Sequence, residues 1–159
     1  MMAKSTKPRK KYTPRVQIKS MFTRIYQSFG NTVEWFEQQL ATQTTMVDEH
    51  GEPVVLTCSG NVCTTWESIE SFIDLHGVAV RKGYTMPPID QLEAVHRALK
   101  NGVLLPQSTF EQAQAQLLNL RNRLIFMPAL VVSKIAEDCE IMIHIQNQNA
   151  QSQRLAVAP

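Results

Sequence analysis

Cationic side chains are concentrated at one end of the chain, and binding of a polyanion is the chemistry that they would serve. Residues 1–33 contain eight Lys or Arg residues and no Asp or Glu. Each phosphate that such a side chain neutralises releases condensed counterions, and this release favours binding. An aromatic ring in the same segment can stack on a base or a sugar. The residues predicted to contact nucleic acid are Lys4, Lys7, Arg9, Lys10, Lys11, Tyr12, Arg15, Lys19 and Arg24.

The remainder of the chain has the opposite charge. Residues 34–159 contain eight basic and fourteen acidic residues, so the formal net charge of +2 conceals a basic arm on an acidic body. Pro8 and Pro14 favour an extended arm, because proline fixes φ and disfavours helix in the residue before it. Two alternatives remain open: the arm keeps the protein soluble, or it lies on the acidic body of its own or a neighbouring chain.

Two further basic pairs lie in the body, Arg81–Lys82 and Arg121–Arg123. Both pairs fall near the predicted C-termini of helices, where a positive charge offsets the helix dipole. The alternative is that they extend the cationic surface of the arm.

The cysteine, histidine and carboxylate residues lack the spacing of a catalytic or metal site. Cys58 and Cys63 form the only close cysteine pair, and the second pair that a structural zinc site needs is missing. His76 and His96 fall on or near apolar helix stripes, where histidine usually has a structural role. No Walker loop, dinucleotide fingerprint or nucleophile elbow is present. We therefore expect a non-enzymatic protein with no catalytic residue, no metal and no cofactor.

Apolar residues recur at helical spacing along most of the chain. A first segment ends at Gly30, and a second runs from Asn31 to about Gln43. Capping boxes begin two later helices, Thr64 with Glu67 and Ser108 with Glu111. A further helix lies between Pro88 and Gly102, and a last one runs from Val131 to about Gln146.

The only β signal lies near residues 46–57, where a turn rich in acidic residues separates two short apolar runs. A small hairpin and an irregular excursion both fit this pattern.

These elements predict a mainly α fold, an antiparallel bundle of four to five helices. We expect one helical domain over residues 16–146, between an extended basic arm (1–15) and a flexible Gln/Asn-rich tail (147–159). The final helix is expected to pack across the Phe110–Leu124 helix.

The most apolar run of the chain, Leu124–Val132, is too apolar for one helical face to bury alone. It forms either the centre of the bundle or a homodimer contact. The run is much shorter than the roughly 18 apolar residues of a membrane span, and no secretory signal follows the basic start. We expect a cytoplasmic protein with no membrane partner.

The segment Lys7–Val16, which reads K-P-R-K-K-Y-T-P-R-V, resembles the K-P-R-K-K-Y-x-P-x-x-V opening of small hypothetical proteins of tailed bacteriophages and prophages, with one residue between Pro14 and Val16 where that opening has two. The similarity covers the arm and roughly residues 54–145. Those proteins have no established activity, so no functional residue is implied. The resemblance implies a phage accessory protein that acts in the host cytoplasm.

Two functions follow as hypotheses. In the first, the arm binds DNA or RNA. In the second, the acidic helical body binds a host protein and modulates or inhibits a defence or replication enzyme.

Overall fold

The computed structural model describes residues 15–42, 49–56 and 62–157, and at residues 15–24, 42, 55–56, 62–63, 152 and 154–157 the description covers the backbone alone. The predicted mainly α fold is confirmed: five helices and one short two-stranded antiparallel sheet make up the described part of the chain. In chain order they are α1 (Arg15–Thr42), β1 (Val54–Leu56), β2 (Val62–Thr64), α2 (Thr65–Arg81), α3 (Asp90–Asn101), α4 (Gln107–Ile125) and α5 (Ala129–Val157).

Local signals set the ends of α2 and α3. The Glu67 carboxylate accepts a hydrogen bond from the Thr64 backbone N–H at 3.2 Å, as the capping-box spacing predicts. Gly102 ends α3 in the left-handed conformation, with φ of +64°. This turn lets the Val103 N–H donate to the Ala98 carbonyl at 2.9 Å, which satisfies one of the unpaired carbonyls at the helix end.

The core forms where α1 lies against α2 and α4. Phe29 stacks on Phe72 with ring centroids 4.1 Å apart, and both Trp35 and Phe36 lie next to Phe110. The fully buried aliphatic side chains include Leu117, Leu120, Leu124, Val132 and Ile135. Burial of these apolar surfaces is the main favourable term holding the five helices together.

The prediction that Gly30 separates two helices is wrong. Residues 15–42 form one continuous helix, and a β-carbon at Gly30 would meet nothing within 4 Å. A single glycine costs an exposed helix only about 1 kcal/mol relative to alanine. Apolar burial on both sides, by Phe29 and by Trp35 and Phe36, exceeds that cost. The Thr32 hydroxyl also donates to the Ser28 carbonyl at 2.9 Å across the glycine.

The hairpin lies further along the chain than predicted. Val54–Leu56 pairs with Val62–Thr64, and Val55 is opposite Cys63. The acidic turn around Gly51, which has φ of +80°, therefore precedes the sheet and does not connect its strands. Of the upstream run expected to pair with 53–57, residues 46–48 lie outside the described residues.

Helix α4 begins at Gln107 with Pro106 as its N-cap residue, so Ser108 lies inside the helix and not at its cap. Proline fits this position because the first helical N–H groups have no intrahelical partner.

Helix α5 differs from its prediction in length and in neighbours. It continues eleven residues beyond Gln146, so the segment expected as a flexible tail is helical from residue 147 to Val157. It packs against α1 and α2, whereas α4 packs against α3 and α1. The expected packing of the last helix across α4 is therefore wrong. The 28-residue α1 contacts both α4 and α5, so these two helices are connected in the bundle through α1.

Candidate functional site

Six of the nine residues predicted to bind nucleic acid lie outside the described residues: Lys4, Lys7, Arg9, Lys10, Lys11 and Tyr12. The other three, Arg15, Lys19 and Arg24, are in the first turns of α1. The helix starts at Arg15, the residue after Pro14. At 1.5 Å per residue, Arg15 and Arg24 are about 14 Å apart along the helix axis.

The basic residues of the body that lie near α5 are engaged within the fold. Lys82 and Asp138 form an ion pair between the end of α2 and α5. Lys134 reaches the same carboxylate at 3.2 Å. Hydrogen bonds from Lys82 and Lys134 hold the pKa of Asp138 below its usual value. These two lysines therefore neutralise an internal charge.

Three of the four residues in the two basic pairs, Arg81, Lys82 and Arg123, lie at helix C-termini, whereas Arg121 lies earlier in α4. Arg81 lies in the last turn of α2 and its guanidinium donates to the Met142 sulfur at 3.0 Å. Arg123 lies in the last turn of α4, and its Nε donates to the Thr85 carbonyl at 2.9 Å. Both side chains connect elements of the bundle, so their contacts favour a structural role over an extension of the arm.

A polar cluster lies between α2 and α3. The Glu70 carboxylate is 3.5 Å from His96 Nε2 and 3.7 Å from the Lys100 ammonium, which lies 4.9 Å above the Trp66 ring. Burial, with the neighbouring Glu70 charge, raises the pKa of Asp74 on the same helix. Lys100 thus makes an ion pair and a cation–π contact across the helix interface. His96 lies at the edge of this cluster, as expected of a boundary residue.

His76 has a similar structural contact, since its Nε2 lies 2.8 Å from the Pro87 carbonyl oxygen. The hydrogen bond ties α2 to the segment that leads into α3. His76 therefore has a hydrogen-bond partner within the body, whereas His96 Nε2 lies 3.5 Å from the Glu70 carboxylate and makes no hydrogen bond.

Cys139 is buried on α5, and its environment disfavours the thiolate. Burial, followed by the Asp74 and Glu140 charges, raises the pKa of the thiol to about 11. A thiol that stays protonated at neutral pH is a poor nucleophile and a poor metal ligand. Cys58 lies outside the described residues, and within them no three His, Cys, Asp or Glu side chains gather into a group able to hold a metal ion.

An apolar groove that the sequence analysis missed opens between α1, α3 and α4. It has a volume of about 490 Å³, within the range typical of ligand and peptide sites. Trp35 and Leu40 of α1, Leu99 of α3 and Phe110 of α4 contribute to its walls. The loop after Gly102 forms its rim, where Leu104 is 96% exposed. Three consecutive apolar residues in a loop, Val103–Leu105, were the signal in the sequence.

The Leu124–Val132 run is partly buried in the core and partly exposed, and its predicted role as a homodimer contact stays a prediction. Leu124, Met127 and Val132 are buried in the core. Phe126 and Leu130 are 84% and 67% exposed at the corner between α4 and α5. The run therefore belongs to the bundle centre on one side and, among the described residues, to an exposed apolar surface on the other.

No protein-family model matches the chain, and neither a curated protein nor a solved structure is similar enough to stand as a relative. The resemblance to phage accessory proteins stays a prediction. None of the helices that the structure describes combines the length and the apolarity needed to cross a membrane.

Proposed function

We propose that this protein is a non-enzymatic, nucleic-acid-associated accessory protein that binds DNA or RNA through its basic arm. The observation that carries the proposal is the segregation of charge: eight basic and no acidic residues in the first 33, against an excess of six acidic residues in the rest. In keeping with the resemblance of its opening segment, we place it in the cytoplasm of a phage-infected or lysogenic host.

The contacts within the body support the arm as the element that binds phosphate. Lys82, Lys134 and Lys100 each lie against a carboxylate of the bundle, and Arg123 is hydrogen-bonded to a backbone carbonyl. A phosphate that approached these side chains would have to compete with these existing partners. The body also carries the acidic excess, which repels a polyanion and favours an orientation with the arm toward it.

Titration of labelled single- and double-stranded DNA and RNA at two salt concentrations tests this function. If six to eight phosphates are neutralised, affinity for duplex DNA should fall by about 10³-fold or more between 50 and 200 mM salt. Deletion of residues 1–15 should abolish the salt-dependent binding. Salt-independent binding, or no binding to any of these probes at low salt, would overturn the proposal.

A matched pair of variants tests whether nucleic-acid affinity depends on where the positive charges lie or only on how many there are. The arm variant changes Lys7, Arg9, Lys10 and Lys11 to Gln, and the body variant changes Arg97, Lys100, Lys134 and Arg154 to Gln. Both lose four positive charges. We expect the arm variant to lose most of its affinity and the body variant to retain it, because only the arm contacts phosphate.

A protein-binding modulator is the second candidate, and the groove favours it. Its exposed rim residues Val103 and Leu104 are typical of a surface that an apolar side chain of a host protein would cover. Capture of a host protein from nuclease-treated lysate, retained without residues 1–15 and lost in Leu104→Glu, would support this function over the first.

A further inference from the structure

The start of α1 and the end of α4 lie at the same end of the bundle. Phe110, near the start of α4, lies beside Trp35 in the second half of α1. Burial raises the pKa of the Tyr26 hydroxyl, in the first half of α1, and the charge of nearby Arg121, further along α4, opposes that rise. The two helices are therefore antiparallel, and α1 begins at the end of the bundle where α4 stops.

Acidic residues are absent from both of the segments that form this end. In the sequence, no Asp or Glu precedes Glu34, and none lies between Glu111 and Glu137. The second segment carries the basic residues Arg121, Arg123 and Lys134. Lys134 lies against two carboxylates of α5, whereas Arg123 donates to a backbone carbonyl and keeps its charge unpaired. This end of the bundle therefore has an excess of positive charge, which attracts a polyanion.

Arg121 has no partner among the residues that the structure describes. It forms no ion pair with them, and its buried Nε has no hydrogen-bond acceptor among them. Asp90 approaches α4 from α3, but its carboxylate accepts a hydrogen bond from Gln116 at 2.7 Å. A guanidinium donor that is buried without an acceptor costs free energy, so a ligand that supplies an acceptor at Arg121 is favoured.

The exposed aromatic ring of Phe126 lies at the same end. Phe126 is the C-cap residue of α4 and is 84% exposed, whereas every other Phe, Tyr and Trp among the described side chains is buried or half-buried. It follows Arg121 by five residues, about 7.5 Å along the helix axis. An exposed ring on a positively charged surface is the combination by which proteins bind single-stranded nucleic acids, because any base can stack on the ring.

Stacking of a base on Phe126 requires a single strand. In a duplex both faces of each base are covered by its neighbours, whereas the bases of single strands, loops and bulges can turn outward and stack on an aromatic side chain. The arm alone gives no such preference, because its charge attracts the phosphates of single strands and duplexes alike. A contribution from Phe126 therefore predicts a preference for single strands.

We propose that this end of the bundle binds unpaired bases of single-stranded DNA or RNA. The Phe126 ring stacks on a base, and the Arg121 guanidinium donates hydrogen bonds to the same strand. The inference rests on the proposed function, since the basic arm, which precedes α1, supplies the phosphate contacts that hold the strand. It adds a preference for single strands over duplexes and assigns part of the contact to the body.

Titration of labelled single strands and duplexes of one sequence, in DNA and in RNA form, tests the site. Phe126→Ala should weaken single-strand binding by about 5- to 150-fold, the effect of losing one stacked base, and duplex binding by less than about twofold. Phe126→Tyr keeps an aromatic ring and should retain the wild-type affinity. Phe126→Leu keeps the apolar bulk and should lose as much affinity as Phe126→Ala. Comparison of the DNA and RNA forms identifies which of the two the site prefers.

Matched control variants separate stacking and local charge from general effects. Leu130→Ala removes an exposed aliphatic side chain of the same corner and should leave the affinity unchanged. Arg121→Gln and Arg97→Gln each remove one positive charge, the first at this end of the bundle and the second at an exposed position of α3. Only Arg121→Gln should weaken single-strand binding, by about three- to tenfold. Thermal melts check that each variant stays folded.

Photocross-linking then locates the stacked base. A single-stranded probe that carries iodouracil should cross-link to the peptide that contains Phe126, identified by mass spectrometry of the digested complex. Phe126→Ala should remove this cross-linked peptide. A cross-link confined to Tyr12 would place the stacking on the arm and overturn the arrangement.

The outcomes of the titration separate this inference from the proposed function. A wild-type chain that binds none of the probes overturns both. Arm-dependent binding that Phe126→Ala leaves unchanged, or weakens equally for single strands and duplexes, overturns this inference alone. Equal losses in Phe126→Ala and Leu130→Ala would also overturn it, because they would show that the corner makes an apolar contact, with a protein or a second copy of the chain, in place of base stacking.

Discussion

The two halves of α5 have the same secondary structure and opposite surroundings. In the first half, Val132, Ile135, Ala136 and Cys139 are buried against α1 and α2. In the second half, from His144 onward, every described side chain is exposed. Tertiary packing thus accounts for the first half, whereas no packing partner for the second half lies among the residues that the structure describes. Continuity of a helix is therefore no measure of how firmly each of its turns is held.

The largest expected difference between the two halves of α5 is in how much an Ile→Ala substitution lowers the free energy of unfolding. Ile135→Ala should lower the free energy of unfolding by about 2–5 kcal/mol, because it leaves a cavity in the core. Ile145→Ala should change it by less than about 0.5 kcal/mol when measured on dilute monomer. Urea denaturation followed by circular dichroism provides both values. Equal losses at the two positions would remove the distinction between the halves.

A smaller effect should follow from better helix formers in the exposed half. Asn147→Ala with Asn149→Ala should favour the helix by about 0.5 kcal/mol per residue, since both side chains lie in solvent. The expected result is a stronger far-ultraviolet helical signal with an unchanged unfolding midpoint of the core. A shift of that midpoint by several degrees would show that the second half is coupled to the bundle.

The smallest effect concerns the ion pair that ties the first half of α5 to the end of α2. Lys82 and Lys134 lower the pKa of Asp138 in the folded state, so the ionised carboxylate stabilises the fold at neutral pH. This contribution is present above the unfolded-state pKa and is lost as the pH falls through the lower folded-state pKa.

Thermal melts of Asp138→Asn and the wild type between pH 7 and pH 2 measure that contribution. The two melting temperatures should differ slightly at pH 7 and converge at the acidic end. A constant difference across this range would show that the substitution acts through packing and not through charge.

Much of the helical pattern could be predicted because its signals are local. Thr64 with Glu67 marks the start of α2, Gly102 marks the end of α3, and Pro128 separates α4 from α5. Each signal depends on backbone hydrogen bonds within a few residues. Such signals do not show which helices become neighbours, so the packing of α5 against α1 and α2 was missed.

The errors arose where long-range packing outweighs a local preference. Gly30 is a weak helix residue, yet the aromatic side chains on either side of it belong to one buried surface and the helix continues. The polar composition after Gln146 suggested that α5 ends there, but the helix continues for eleven more residues. Val55 finds its strand partner in Cys63, and strand pairing across a connection is weakly specified by such short runs.

The candidate sites also differ in how far the sequence alone could predict them. The basic arm is visible in the sequence because charge segregation needs no fold to be counted. The groove beside Trp35 requires α1, α3 and α4 to be brought together, and only the rim at Val103–Leu105 left a trace in the sequence. The exposure of Ile141 and Ile145 on α5 was missed because the sequence pattern does not show which side of this helix the other helices cover.

The position of α1 in the bundle also affects how the chain folds during synthesis. Helix α1 leaves the ribosome first, but Phe110, which packs beside Trp35 and Phe36, belongs to a helix that begins sixty-five residues after Thr42. At about 5–20 residues per second, this delay lasts about 3–13 s. During that time the aromatic surface of α1 lacks the cover that α4 supplies in the folded protein.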